Sequence, residues 1–212
     1  KFQGQRAGTG GDIAAFSFYP TKNLGAFGDG GMVITNNSSL AEKAKSLRQY
    51  GWKNRYISEI KGMNSRLDEL HAAMLRVKLK YLDAWNARRR HNARVLTAGL
   101  ADLPWLQTPV ERAGCEHVYH QYVVKVQDRE HLRPHLTNAG IGWDVHYPCL
   151  IPDQPYYQQL GFTGEDFAQA RALTQSVISL PVHPAVSDDD LTTIIAAVRA
   201  FVPSVEMVAA NY

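Results

Sequence analysis

The 212 residues are 45% hydrophobic and 20% charged, a balance that buries a sizeable core and belongs to an ordinary globular protein rather than a fibrous or disordered one. A formal net charge of +3, with its lysines and arginines scattered, leaves no footprint for nucleic acid but suits an anionic small substrate. No apolar run is long enough for a membrane span, and Cys115 and Cys149 lack the paired spacing of a disulfide framework or a thiolate zinc site, so a cytoplasmic setting without a metal is expected.

The chain opens on Lys1-Phe2-Gln3-Gly4-Gln5-Arg6, with neither a leading Met nor a signal-peptide core, and is expected to be part of a longer protein. Residues 13–18 read as a short buried strand and 32–35 as another. Between them lies Ser17-Phe18-Tyr19-Pro20-Thr21-Lys22-Asn23-Leu24-Gly25, followed by Gly28-Asp29-Gly30-Gly31. A lysine held between an apolar strand and a turn can act as an amine nucleophile toward an aldehyde, forming a Schiff base. A lysine before a glycine-rich loop is also an ordinary surface residue, and its neighbours alone leave both readings open. A phosphate-cradling P-loop is excluded because its glycines precede the lysine and a hydroxyl follows it, whereas here the glycines come after. The glycine spacing does not match a dinucleotide-binding fingerprint either.

Asn36-Asn37-Ser38 reads as a turn and cap for a helix carrying Leu40, Ala44 and Leu47 and stopped by Gly51. After a polar, aromatic-rich stretch over 50–63, Ser65 followed by Asp68 resembles a capping box. Leu67, Leu70, Met74, Val77 and Tyr81 then predict a long amphipathic helix. With Ser65 as the cap, the Asn64 amide is left to reach a phosphate near the helix N-terminus; Asn64 as part of the cap is the alternative. From about Trp85 a basic helix runs to Leu103 and is broken by Pro104, and its densest run, Arg88-Arg89-Arg90, reads as a solvated face. A second domain is expected from there, giving residues 1–85 and 86–212.

Residues 118–126 alternate in the strand period, with His120 on the apolar face as a satisfied core histidine. A helix over 132–139 ends at Gly140, and a strand over 141–147 finishes on His146-Tyr147-Pro148, a polar pair facing either a cleft or solvent. Helices over 166–177 and 191–201 follow, the latter capped by Ser187 with Asp190 three residues on. Strands alternating with helices place the chain in the α/β or α+β classes.

The stretch from Gly11 to Thr35, with the Lys22 and glycine motifs, resembles the core of the DegT/DnrJ/EryC1/StrS sugar aminotransferases. Asn64-Ser65-Arg66-Leu67-Asp68-Glu69, His146-Tyr147-Pro148 and Leu180-Pro181-Val182-His183-Pro184 repeat that resemblance in order. Residues 51–82 are most similar to the members that aminate carbon 3 of a nucleotide-linked 3-keto-6-deoxy sugar. The resemblance implies an α/β fold of the pyridoxal 5′-phosphate fold type I class, with the end of the large domain followed by the small domain. It also implies a homodimer with shared sites, glutamate as amino donor and a nucleotide-linked keto sugar as acceptor. Lys22 matches the cofactor-bearing lysine, Ser17 a cofactor-phosphate ligand, and Asn64 the residue that reaches the phosphate of the partner subunit's cofactor. Tyr19, His146 and Tyr147 match positions lining the sugar-nucleotide pocket. His71 stands where similar sequences usually carry Gln, and Lys22 argues against the dehydratase branch, which has His at that position. The family's carboxylate for the pyridine nitrogen lies in a preceding segment; Asp12 and Asp29 are not in its place. The 212 residues alone are therefore expected to be a poor catalyst. A non-catalytic remnant serving as a dimerisation or interaction module is the alternative.

Overall fold

Residues 1–165 and 167–204 are described in a computed structural model, in which the chain divides into two units. The first comprises Lys1–Asn86 with Glu111–His117, the second Ala87–Val110 with Val118–Tyr212.

In the first unit, β1 (Ala14–Ser17) and β2 (Gly31–Ile34) form an antiparallel ribbon in which Ala14 faces Ile34 and Ser17 faces Gly31. The expected burial of β1 is not found: Ile13, Phe16, Met32 and Val33 are all exposed. The ribbon is only two strands wide, and the unit's buried cluster of Phe18, Ala26 and Leu75 lies at the loop joining the strands rather than against them. Helix α1 (Ser38–Leu47) starts as expected at Asn37, whose Oδ1 accepts from the N–H groups of Ser39 (2.9 Å) and Leu40 (3.3 Å). The aromatic-rich stretch after it folds into a hairpin of β3 (Trp52–Asn54) and β4 (Ile57–Ser58), which carries no Asn-Gly or Asp-Gly turn to announce it.

The capping box expected at Ser65 does not form. Helix α2 (Glu69–Leu79) starts four residues later, flanked by Asp68, which makes no side-chain capping bond. The chain before it is held extended along the end of α1: Met63 N–H donates to the Leu47 carbonyl (2.9 Å) and Ser65 N–H to that of Arg48 (3.0 Å). Residues 63–65 are thereby fixed alongside the end of α1, and the helix begins only at Glu69. Of the predicted stripe, Leu70, Val77 and Tyr81 are exposed; the helix buries Leu75 instead.

Helix α3 (Leu82–Leu100) leaves the first unit and enters the second. There a three-stranded antiparallel sheet runs in the order β5 (Leu106–Gln107), β6 (Tyr122–Val126), β7 (Val177–Leu180), with Tyr122 opposite Leu180 and Lys125 opposite Val177. On β6 the period-two alternation holds, with Tyr122, Val124 and Val126 buried, though the strand begins four residues after the expected start. Helices α4 (Arg129–Asn138) and α7 (Asp188–Arg199) complete the core, in which Leu96, Leu132, Leu136, Ile178, Leu191 and Val198 are fully buried. Burial pushes the Tyr122 phenol up to about 12, against the opposing hydrogen bond with Thr97 Oγ1 (2.8 Å).

Three expectations change in this unit. Residues 141–147 are not a strand; a single bridge joins Asp144 to Ser179 on β7. Two short helices follow, α5 (Pro155–Gln159) and α6 (Ala168–Ser176); the expected first residue of the latter, Asp166, lies outside the described residues. The arginine triplet is not a solvated face. Three consecutive helical residues sweep about 200° of the cylinder, so a helix entering a core turns one of them inward. Arg89 is only 7% exposed, and its Nη1 donates to the carbonyls of Tyr119 (3.0 Å) and His120 (3.2 Å). Burial pulls its guanidinium below the ordinary arginine value.

Candidate functional site

The loop between β1 and β2 presents Lys22. Phe18 begins it from the buried cluster: its N–H donates to the Gly30 carbonyl (2.8 Å) and its carbonyl accepts from Ala26 N–H (2.8 Å), so both ends of the loop close on one residue. Within that closure Lys22 N–H donates to the Tyr19 carbonyl (2.9 Å) in a tight turn. Gly25 packs so closely on this turn that a Cβ there would overlap the Pro20 carbonyl oxygen. Asn23, next to Lys22, donates from Nδ2 to Oδ1 of Asn86 at 2.8 Å.

Helix α2 supports the glycine side of the loop. Leu75 packs with Phe18 and Ala26, joined by Leu24 and Leu67. The Lys78 ammonium donates to the Gly25 carbonyl (2.7 Å) and lies 4.3 Å from the centroid of the Phe27 ring. The His71 ring stands against Gly28, so closely that a Cβ there would come within 3.0 Å of it. These three helix positions, 71, 75 and 78, lie four and three residues apart and so share one face.

The half-buried Lys22 side chain makes no hydrogen bond or ion pair with any described residue. Ser17, at the end of β1, is exposed; its Oγ accepts from Tyr19 N–H (3.2 Å), which leaves its O–H to donate elsewhere. Tyr19 is 51% exposed. Ser17, Tyr19 and Lys22 thus occupy one strand end and its loop.

Asn64 lies elsewhere in the same unit, bridged to Gln49 at the end of α1. Its Oδ1 accepts from Arg66 Nε (2.8 Å), leaving the amide's N–H groups as donors, and Arg66 reaches on to the Tyr50 hydroxyl (3.3 Å). Arg66 also lines an open hollow of about 860 Å³ between α1 and the β3–β4 hairpin, together with Lys45, Trp52, Arg55, Tyr56 and Glu59. Sequence reading missed the hairpin that forms this hollow; the density of aromatic and basic residues over 50–56 was its one available sign.

His146 and Tyr147 belong to the second unit. His146 is pinned there by a hydrogen bond between Nδ1 and Ser179 Oγ (3.0 Å), with Asp144 Oδ2 3.4 Å from Nε2. Tyr147 is 70% exposed, its ring 5.5 Å from that of His146. In the same unit the Asn92 side chain, fully buried on α3, donates to the carbonyls of Val182 (3.3 Å) and His183 (3.1 Å) and so fixes the Leu180–Pro184 motif from the helix.

Chemically, the first unit offers a primary amine that is unpaired among the described residues, on a loop held at several points, with a hydroxyl donor close to it in sequence. That donor set fits a phosphorylated aldehyde, which needs an amine for its carbonyl and O–H or N–H groups for its phosphate.

The chain is 44% identical over 200 residues to the erythromycin biosynthesis sensory transduction protein EryC1 of Saccharopolyspora erythraea, covering 94% of this chain and 55% of that protein. It is 41% identical over 206 residues to the dTDP-3-amino-3,4,6-trideoxy-alpha-D-glucose transaminase of Streptomyces venezuelae, covering 97% and 54%. Among solved structures, the S. venezuelae DesV in complex with a ketimine intermediate superposes with a TM-score of 0.90 at 42% identity, over 94% of this chain and 54% of that one. The chain therefore spans about half the length of the relatives it matches. With residues 1–199 also matching the family model itself, the chain belongs to the DegT/DnrJ/EryC1/StrS aminotransferase family.

Proposed function

We propose that this chain is the lysine-bearing part of a pyridoxal 5′-phosphate-dependent aminotransferase that moves an amino group from glutamate to C3 of a nucleotide-linked keto-deoxysugar. The observation that carries this reading is Lys22: an amine with no hydrogen-bond or ion-pair partner among the described residues, on a loop whose backbone is fixed on both sides of it. Its family membership and the transaminase named among its relatives support the substrate class.

When bound, the cofactor supplies an electron sink for bond changes at the amino-bearing carbon. The residues supply the rest. The Lys22 amine holds the cofactor covalently and, once released, carries the proton that leaves the donor's α-carbon. Ser17 donates its O–H to the cofactor phosphate. Asn64, whose N–H groups remain available, donates to the phosphate bound by the other subunit of a homodimer. Tyr19 of the first unit, and separately His146 and Tyr147 of the second, are the residues we assign to contacts with the sugar nucleotide, His146 being oriented by Ser179. In this reading residues 1–85 are the end of the large domain and 86–212 the small domain.

The test uses the full polypeptide incubated with pyridoxal 5′-phosphate, reduced with borohydride, digested and read by mass spectrometry. The reduced cofactor is expected on the peptide containing Lys22, and Lys22→Ala should lose both that mass and amine transfer while keeping its circular dichroism. A folded protein that acquires no mass at Lys22 would overturn the reading in favour of a non-catalytic interaction module.

A further inference from the structure

We propose that Lys78 is a positioning residue for Lys22: a cation on α2 that fixes the carbonyl of Gly25 and thereby the turn from which the reactive amine projects. The inference rests on the reading of Lys22 given above, but its physical basis is separate.

Four observations carry it. The Lys78 ammonium is half-buried and donates to the Gly25 carbonyl at 2.7 Å, a charge-assisted bond of the stronger kind. The same ammonium lies 4.3 Å from the centroid of the Phe27 ring, two residues further along the loop, so one charge grips the loop twice. Gly25 is in turn packed on the Pro20 carbonyl with no room for a side chain, so a displacement of Gly25 transmits to the residues 20–25 turn instead of being absorbed. Finally, Leu75 and His71 hold the loop from the same helix face, against Phe18 and Ala26 and against Gly28. The helix therefore has an apolar footing and a cationic tip, and the tip bonds the backbone of the segment that carries Lys22.

The cation suits this task better than a neutral side chain would. A lysine's long apolar stem can lie along an apolar surface while its head bonds a carbonyl, as the Lys78 ammonium does with Gly25. Because an amine must be placed to within about an ångström to react efficiently, loosening of this anchor should slow chemistry far more than it weakens binding of either substrate.

The experiment compares Lys78→Met, Lys78→Arg and the exposed neighbour variant Lys80→Met in the full polypeptide. Hydrogen exchange on the cofactor-free protein reads the anchor directly. Lys78→Met should speed exchange of the Ala26 and Phe18 amides at least about tenfold, with Lys80→Met unchanged and Lys78→Arg between the two. With cofactor, the rate of borohydride-trapped mass at Lys22 and kcat should fall by about tenfold or more in Lys78→Met, with KM nearly constant and partial rescue in Lys78→Arg. Unchanged loop exchange in a folded Lys78→Met protein overturns the proposal, as does changed exchange with unchanged trapping rate and kcat. An exchange difference between wild type and Lys78→Met, with wild type never taking mass at Lys22, overturns the aminotransferase reading and leaves Lys78 as a structural anchor only. Should Lys78→Met fail to fold, Lys78→Gln, which keeps part of the stem and removes the charge, carries the same comparison, and wild-type exchange, trapping and kcat in that variant together would overturn the proposal.

Discussion

At the scale of single residues, Arg89 shows how far a charged side chain can be recruited into a core when carbonyls are waiting for it. It is 7% exposed and serves two acceptors, the carbonyls of Tyr119 and His120, at the turn leading into β6. No carboxylate pairs with it in those contacts, so its worth lies in satisfying two backbone carbonyls, that of Tyr119 buried and that of His120 partly so. Arg89→Met keeps most of the stem's volume and removes both donors. It should cost about 2 kcal/mol, the penalty of leaving buried acceptors unmade, measured as a lower urea midpoint at unchanged slope. Arg90→Met serves as the control on the same helix. A loss below about 0.5 kcal/mol in Arg89→Met would show that the two carbonyls find water or another donor.

At the scale of elements, the helix starts separate what is local from what is not. The box predicted at Ser187 and Asp190 is present in both halves: Asp190 N–H donates to Ser187 Oγ (3.1 Å) and Ser187 N–H to Asp190 Oδ2 (2.9 Å). The equally plausible pattern at Ser65 and Asp68 fails because residues 63–65 pair with the end of α1, a contact made some sixteen residues away in sequence. Ser187→Ala should therefore destabilise the protein by about 1 kcal/mol, and Ser65→Ala by less than about 0.5, in parallel denaturant titrations. Equal losses would mean that residue 65 caps α2 in solution. The same division governs what could be read of the site. Ser17, Tyr19 and Lys22 lie in one contiguous run and were legible as a unit. The groups that hold the run in place, Leu75, Lys78 and Asn86, come from 50 or more residues further on, and no periodicity announces them. Strand periodicity located β1 but not its exposure, because burial depends on what lies across the face and not on the strand's own pattern.

At the scale of the molecule, no helix among the described residues is long and apolar enough to cross a membrane, and the chemistry of its charges is concentrated in the second unit. Four aspartates there are held below their ordinary range. The Arg199 guanidinium does this for Asp102 through a two-pronged contact of 2.7 and 2.9 Å. Arg88 does it for Asp188 (2.8 Å), with His91 adding a smaller contribution. The Ser187 hydroxyl and N–H do it for Asp190. Burial alone would push Asp128 up; hydrogen bonds from Ser204 N–H and His131 more than offset this. Three of the four lie on α7 or bind its last residue, so acid acts mainly on that helix. The sign follows from linkage. A carboxyl whose folded value is depressed contributes stability that is fully present above its unfolded value of about 3.9 and is lost as pH falls through the lower folded value. The second unit should accordingly hold its stability from about pH 7 to pH 5 and lose it below about pH 4. Each exposed pair contributes little by itself, so the fall should be gradual and should shrink in high salt. Arg199→Met removes the partner of Asp102 and should lower stability at neutral pH while flattening the fall on the acid side. Urea midpoints followed through the near-ultraviolet signal of Trp105, which packs edge-on against Phe201 at 5.3 Å just beyond α7, would measure both effects. An acid-side fall of the same size in wild type and Arg199→Met would place the linkage elsewhere than in the Asp102–Arg199 pair.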